Sequence, residues 1–562
     1  MPDATPIYRL LAFTVLLTRG LSAADDGGVT GSAGDAATRP NILFAFADDW
    51  GRHASAYARH PLTPDGGGDV LCEAVATPNF DAVAARGVLY TRAFVNSPSC
   101  TPCRSSLLTG RHFWQTGRGA ILSGAVWDHT IPTWPERLAE AGYRIGCTHK
   151  VWSPGQPFNA AFDDNRRQFD SAGSIDKRFS QYATGRIGAG VSFDQVRREV
   201  AKVVRGNFAA FLDEPDSDRS APFVYFYGPT NVHRKWVAGS GSRLWGIDPG
   251  RLQSRLPSFL PDHATVRQDL VDYLGEAQAF DVAVGTLLDE VERRGLTDDT
   301  LIVISGDHGP AGFPHGKCNL YDFGTAVPLA IAGPGVEAGR VVERVVSLPA
   351  LAPTLVRVGG GVPMGDLPHR ELPEVFGSER GDFDETEPEA VFFGRERHVD
   401  VARAGYLPYP QRGIRTADHV FIINFRPDRH PLGDPDRLDG DAEPTFAELA
   451  NDTMVTLPDE DQGPTKAFLV TRRHQPDYEP IYRHAYGKRP REEFYDLRHD
   501  PDQMTNLAVD RDVRPIVDRL RRRLLDEMER TGDPRLIDDG RFFETPPMAG
   551  RTGKRRRPED RS

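Results

Sequence analysis

The sequence predicts an α/β fold: a mostly parallel sheet with helices on both faces, followed by a smaller C-terminal α+β subdomain. Three observations carry that expectation. From residue 39 onward, short apolar runs alternate with amphipathic stretches, the pattern of strands joined by crossover helices. Polar residues follow several of those strands, as they do at the carboxyl edge of an open α/β sheet. A chain of 562 residues is also long enough for one large α/β domain and a second, smaller one.

The elements follow in order. Ile42 to Ala47 reads as a buried strand ending in Asp48-Asp49, and Phe80 to Arg86 as a helix followed by a strand from Val88 to Phe94. Trp134 to Ala141 reads as a helix, and Tyr143 to Thr148 and Phe223 to Tyr227 as strands. A helical pattern covers about Leu270 to Arg294, and Leu301 to Ser305 is a strand running into Gly306-Asp307-His308-Gly309. Residues 359–390 are rich in Gly, Pro, Glu and Asp and read as a linker. Beyond them His419 to Phe425 reads as a strand and Ile516 to Arg530 as a basic amphipathic helix. The expected organisation is a catalytic domain over 39–370, a C-terminal subdomain over 390–535 and a disordered tail over 545–562.

Composition excludes several classes. A hydrophobic content of 39% with 55 glycines and 45 prolines describes a loop-rich globular enzyme, not a coiled coil or a membrane protein. The longest apolar stretch, Leu10 to Leu17, is too short to span a bilayer. With Arg9 before it and Ser22-Ala23-Ala24 after it, it reads as a secretory signal over 1–24, leaving a disordered leader over 25–38. Asp3 and Arg19 depart from that pattern. The implied location is secreted or periplasmic/lumenal, with no membrane span. A net charge of −12 argues against a nucleic-acid partner, and the basic run at Lys554 to Arg557 reads as a solvated end. Five cysteines are too few for a disulfide scaffold, although one or two bridges fit an oxidising compartment.

The most informative segment is Cys100-Thr-Pro-Cys-Arg-Ser-Ser-Leu-Leu-Thr-Gly-Arg111. Pro102 suits the first turn of a helix, which places Cys100 at a helix N-terminus where free amides favour an anion. Arg104, on that first turn, has the fork geometry to meet an oxyanion. Cys100 and Cys103 also read as a redox Cys-x-x-Cys, but such a pair needs no Leu-Thr-Gly-Arg continuation, and no second Cys-x-x-Cys completes a zinc site. The adjacent carboxylates Asp48 and Asp49 at a strand end repel one another, a conflict that a hard divalent cation resolves.

The Cys-x-Pro-x-Arg segment running into Leu-Thr-Gly-Arg resembles the signature of the formylglycine-dependent sulfatase family. The resemblance spans roughly residues 39 to 510 and implies an alkaline-phosphatase-like fold. It implies that a formylglycine-generating maturation enzyme oxidises Cys100 to formylglycine, whose hydrate attacks sulfur. It also implies one calcium ion (Ca2+) held by Asp48, Asp49, Asp307, His308 and the modified Cys100. His308 stands where many relatives have asparagine. Lys317, in Gly-Lys-Cys-Asn-Leu-Tyr, and Lys150 match the family's sulfate-binding lysines, and Arg104 joins them. His233, in Gly-Pro-Thr-Asn-Val-His-Arg, matches the histidine that protonates the leaving group.

After Lys150 the pattern breaks. Relatives place a histidine two or three residues on, where this chain has Trp152 or Ser153. His149 is offset in register, and His112 and His315 are the candidate substitutes. Segments around His233, Lys317 and Tyr409 to Arg415 look like the heparan N-sulfatase group, making His398, Arg412 and Arg415 candidate sugar contacts or ordinary surface and inter-domain residues. The resulting expectation is a sulfatase acting on a sulfated carbohydrate, N- or O-linked, such as a glycosaminoglycan chain end. A phosphoester or phosphonate hydrolase of the same superfold and a non-catalytic sulfated-glycan binder are the alternatives.

Overall fold

The central strands of the first sheet are apolar on both faces, as a sheet covered by helices on two sides requires. In the computed structural model, which describes residues 39–60, 62, 69–157, 160, 162, 167–215, 217–377, 389–438, 440 and 442–552, this sheet has seven strands. They are β1 (Asn41–Ala47), β2 (Val88–Phe94), β3 (Arg144–His149), β4 (Phe223–Gly228), β5 (Thr300–Gly306), β6 (Ala326–Ala332) and β7 (Arg340–Ser347). Their order is β3-β4-β1-β5-β6-β2-β7. Strands β3, β4, β1 and β5 run parallel, as do β2 and β7, while β6 opposes both its neighbours.

Side-chain alternation along β1 divides the core in two. Ile42, Phe44 and Phe46 face one side, with Leu107 of the helix Cys100–Thr109, Trp134 and Leu138 of the helix Trp134–Glu140, and Leu351 and Leu355 of the helix Leu351–Val358. Leu43, Ala45 and Ala47 face the other side, covered by the helices Phe193–Leu212 and Ala264–Arg293. Val196, Val200, Val204 and Phe208 recur every four residues and give the first of these helices its apolar stripe. The second starts earlier than its apolar pattern suggests, at Ala264, because the His263 side chain accepts the Thr265 N–H and caps it.

A second, antiparallel sheet contains β8 (Ala390–Arg395), β9 (Gln411–Thr416), β10 (His419–Asn424) and β11 (Glu492–Asp496), in the order β11-β10-β9-β8. Val391, Phe393, Val420 and Ile422 pack against Phe94, Leu320 and Tyr321 of the first sheet's edge. The opposite face, Ile414, Phe421 and Phe494, packs on Val517, Leu520, Leu524 and Met528 of the helix Arg514–Arg530.

The expected signal and leader, the linker residues 378–388 and the basic run at 554–557 lie outside the described residues. The first part of the expected disordered tail, 545–552, is packed. Met548 is buried with Phe113, Trp114 and Phe543, and Arg397 Nη1 donates to the Gly550 carbonyl oxygen at 2.7 Å. The structure joins no two of the five cysteines by a disulfide, and all five side chains are buried. Among the described residues no helix is long and apolar enough to cross a membrane.

Phe44 stacks on Phe226 with ring centroids 5.0 Å apart and lies fully buried beside Trp134 and Phe46. Phe44→Ala therefore destabilises the fold by about 3–5 kcal/mol, read as a lower denaturation midpoint. A loss below about 1 kcal/mol would show that this side of the sheet contributes little to the core.

Candidate active site

Parallel pairing of β1 with β5 creates the site. Their register runs from Asn41 beside Thr300 to Ala47 beside Gly306, so Asp48-Asp49 and Asp307-His308 leave the sheet next to each other. The Asp49 N–H donates to Asp307 Oδ1 at 2.8 Å and ties the two chain segments together. Lys150 follows β3, and Thr230 and His233 follow β4, at the same carboxyl edge. Cys100 is the first residue of its helix, as expected, and Gly110 ends that helix at a φ of +66°. The N-cap Ser99 makes no capping bond; its hydroxyl lies 2.8 Å from His398 Nδ1 instead.

Three carboxylates converge here without solvent: Asp48, Asp49 and Asp307 are all buried. Each nitrogen of Arg104 donates within the protein. Nε donates to Asp307 Oδ2 at 3.0 Å, Nη2 to Asp48 Oδ1 at 3.2 Å, and Nη1 to the Lys150 and Val151 carbonyl oxygens. The expected fork onto an oxyanion is thus a clamp on two carboxylates. Lys150 Nζ donates to Asp48 Oδ1 at 2.6 Å, and Lys317 Nζ to Asp49 Oδ2 at 3.2 Å. Burial would raise the Asp48 pKa, but Lys150 and Arg104 outweigh it and hold the carboxyl well below its usual range. Burial, reinforced by Asp48, pushes the Cys100 thiol well up, and burial with Asp307 does the same to Cys103. Both shifts disfavour the thiolate that a redox pair uses, which argues against the dithiol reading.

The donor set fits a divalent cation. His308 Nδ1 lies 3.0 Å from the Gly309 carbonyl oxygen, an acceptor only, so in the neutral ring Nδ1 carries the proton and Nε2 presents its lone pair. Nε2 stands 3.4 Å from Asp49 Oδ1, 3.6 Å from Asp307 Oδ1 and 3.4 Å from Cys100 Sγ. Asp49-Cys100-His308 and Asp48-Cys100-Asp307 each gather their ligand atoms within 4.8 Å of one another. A lone pair facing two buried carboxylates is the arrangement a cation resolves, with the other ring nitrogen anchored on backbone as in metal-binding histidines.

Above this cluster lies a cavity of about 390 Å³, lined by Cys100, Lys150, His233, Lys317, His398 and Asp461 among others. His233 Nδ1 is 2.6 Å from the Arg234 carbonyl oxygen, which leaves Nε2 facing Lys317 Nζ at 3.2 Å and Asp49 Oδ2 at 3.7 Å. A larger cavity, about 890 Å³, lies beside the helix Leu351–Val358 and has none of these groups on its walls.

Several sequence candidates lie elsewhere. Trp152 is buried, with its indole N–H on Ser105 Oγ at 2.8 Å. His149 faces Asp176 (2.7 Å), His112 faces Glu527 (2.7 Å) and His315 faces His484 (2.7 Å), so none replaces the histidine absent after Lys150. Arg412 and Arg415 are not sugar contacts. They are buried in ion pairs, Arg412 with Glu396 and Asp533, and Arg415 with Asp322. His398 does reach the cavity and, among the described residues, is the one imidazole besides His233 on its walls. Sequence reasoning missed Asp461, 3.2 Å from Lys317 Nζ; its only signal is the acidic run Asp459-Glu460-Asp461.

Comparison with known proteins agrees with this geometry. Residues 40–362, more than half of the chain, match the family described as Sulfatase. Human N-sulphoglucosamine sulphohydrolase is 27% identical over 530 residues, covering 88% of this chain and 91% of that protein. The phosphonate monoester hydrolase of Agrobacterium radiobacter superposes with a TM-score of 0.57 at 17% identity, over 88% of this chain and 96% of that one. A protein solved in complex with its substrate D-glucosamine-2-N,6-O-disulfate gives 0.54 at 18% identity, over 89% and 99%. These two likenesses establish the alkaline-phosphatase-like fold. With the family match and the cysteine, carboxylates and lysines of one buried site, they lead to one conclusion: the chain belongs to the sulfatase family and hydrolyses sulfate esters or sulfamates.

Proposed function

We propose that the protein is a calcium-dependent sulfatase that removes sulfate from the end of a sulfated sugar, with N-sulfoglucosamine the first substrate to test. The observation that supports this reading best is the placing of Cys100, at a helix N-terminus, against three buried carboxylates and two lysines beneath a pocket of sugar size. The 27% identity to human N-sulphoglucosamine sulphohydrolase over most of both chains supports the choice of sugar.

In this reading Asp48, Asp49, Asp307 and His308 hold calcium, which lowers the charge density on the sulfate oxygens. Cys100, as formylglycine, supplies a hydrated aldehyde as the nucleophile. Because Cys100 is buried in the folded protein, a maturation enzyme has access to it only before the helix packs, in keeping with a secreted or lumenal route. Lys150 and Lys317 bind sulfate oxygens when the substrate enters. Arg104, with each nitrogen engaged within the protein, is a positioning residue that keeps Asp48 and Asp307 at their spacing. His233, with its Nδ1 proton directed at a carbonyl, enters the reaction as the imidazolium, delivers its Nε2 proton to the leaving nitrogen or oxygen and is left neutral.

Three outcomes test this. Mass analysis of the peptide containing Cys100, from a host that has the maturation enzyme, shows the aldehyde at Cys100. Cys100→Ala lowers kcat at least about a thousandfold, while Cys103→Ser retains activity; equal losses would restore the dithiol reading. Chelation abolishes turnover, calcium restores it better than zinc, and Asp307→Asn lowers metal occupancy. Two transition metals per chain would instead favour a phosphoester or phosphonate hydrolase. Matured enzyme releases sulfate from N-sulfoglucosamine, and turnover of O-sulfated sugars alone would reject the sulfamate assignment.

A further inference from the structure

The cavity walls divide into two parts. Its floor, at the ends of the first sheet's strands and the Cys100 helix, is Asp48, Cys100, Lys150, Thr230, His233 and Lys317, and the remaining lining residues, His398 and Asp461 among them, form its rim. The floor holds the cations that an anion requires. Among the described residues the rim has no lysine or arginine; its titratable side chains are the His398 imidazole and the Asp461 carboxylate.

Asp461 is fixed in that position from two directions. Two residues earlier, Asp459 is buried and knots the two rim loops together. Its Oδ1 accepts the Val399 N–H at 2.9 Å, and its Oδ2 meets Arg395 at 2.6 Å and Arg403 at 2.8 Å. Lys466 Nζ donates to the carbonyl oxygens of Leu457 and Glu460 and pins the same loop from beneath. The Asp461 side chain is 17% exposed. Burial works against its charge, but Lys317, then His233 and His398, outweigh burial and keep it ionised. A carboxylate held beside an anion pocket repels a second anion and accepts hydrogen bonds from a neutral or cationic donor. At about 390 Å³ the cavity has room for one sulfated ring, so the group next to the sulfate on that ring meets this rim.

We propose that Asp461 is the specificity residue of the pocket: it accepts a hydrogen bond from a hydroxyl or ammonium group beside the sulfate and excludes rings that carry a second sulfate or a carboxylate there. This rests on the sugar-sulfatase reading above.

The test compares D-glucosamine N-sulfate with D-glucosamine N,3-disulfate, whose second sulfate stands on the carbon next to the one bearing the sulfamate. The native matured enzyme favours the monosulfate by about tenfold or more in kcat/KM, a discrimination of about 1.4 kcal/mol. Asp461→Asn narrows the ratio to about threefold or less, chiefly through a lower KM for the disulfate, and Asp461→Glu restores it. No preference in the native enzyme, or a ratio that survives Asp461→Asn, overturns the proposal. Equal losses of kcat for both sugars in Asp461→Asn also overturn it, because Asp461 then only orients Lys317. Where the native enzyme turns over neither sugar, the sugar-sulfatase reading fails by itself. Calorimetric titration of calcium-loaded Cys100→Ala protein then decides: a monosulfate preference lost in the Asp461→Asn double variant upholds the inference, and equal or absent binding overturns it.

Discussion

Everything at this site depends on the burial of three carboxylates at the ends of two neighbouring parallel strands. Two such charges about 4 Å apart repel by about 4 kcal/mol at a typical effective dielectric of 20, and burial adds the cost of lost hydration. The β1–β5 register makes their proximity unavoidable, because Ala47 beside Gly306 puts Asp48 and Asp307 next in line. The fold answers with Arg104, carried in on the helix that begins at Cys100. One buried guanidinium spans both carboxylates and is itself held by two carbonyl oxygens. The helix therefore presents the reactive residue and braces the acids it faces, so Cys100 cannot shift without disturbing the carboxylates.

The charge balance follows from this arrangement. Asp48, Asp49, Asp307 and Asp461 set four negative charges against the three positive charges of Arg104, Lys150 and Lys317. One bound divalent cation would turn a net single negative charge into a net single positive one, matched to a monoanionic sulfate ester or sulfamate. Within that balance Lys150 and Lys317 each pair with a carboxylate, Asp48 and Asp49. They stand at the cavity wall, one proton donor away from an incoming anion.

Much of this was legible in the sequence wherever chemistry and strand ends coincide. The expected strand Val88 to Phe94 has the observed limits, and the Asp48-Asp49, Cys100-to-Arg104 and Asp307-His308 segments all converge. Other strands gave no such signal. β6 contains Pro328, which argues against a central strand, and it is accommodated where the sheet turns antiparallel. β9 reads Gln-Arg-Gly-Ile-Arg-Thr and lacks an apolar period, yet it is buried throughout because Arg412 and Arg415 find carboxylates inside. Those partners, Glu396, Asp533 and Asp322, are distant in sequence, so the two arginines resembled substrate ligands. Asp461 was obscure for the same reason, since it reaches the cavity from a segment more than 150 residues beyond Asp307, whereas the candidate His398 does line it.

The two sheets thus divide the work. The first supplies a reactive floor from the ends of β1, β3, β4 and β5, where a rigid hydrogen-bonded register fixes spacing. The chain that follows β8 supplies the rim, through His398 and Val399, and the loop at Thr453, Met454 and Asp461 completes it. Trp152 belongs with this change of rim. Its indole is turned down onto Ser105 and packs edge-to-face on Trp127, and Ser153 lines the cavity, so neither residue that could stand for the expected histidine offers a titratable group. An imidazole is present in the cavity all the same, but it is His398, delivered from the other part of the chain and anchored on the N-cap serine of the Cys100 helix. That single contact joins rim to floor: Ser99 gives up capping its own helix to hold His398, and Asp459 binds the His398 loop to Asp461. Selectivity can therefore change by substitution in loops that bear no load in the first sheet, while the carboxylates and the Arg104 clamp stay fixed.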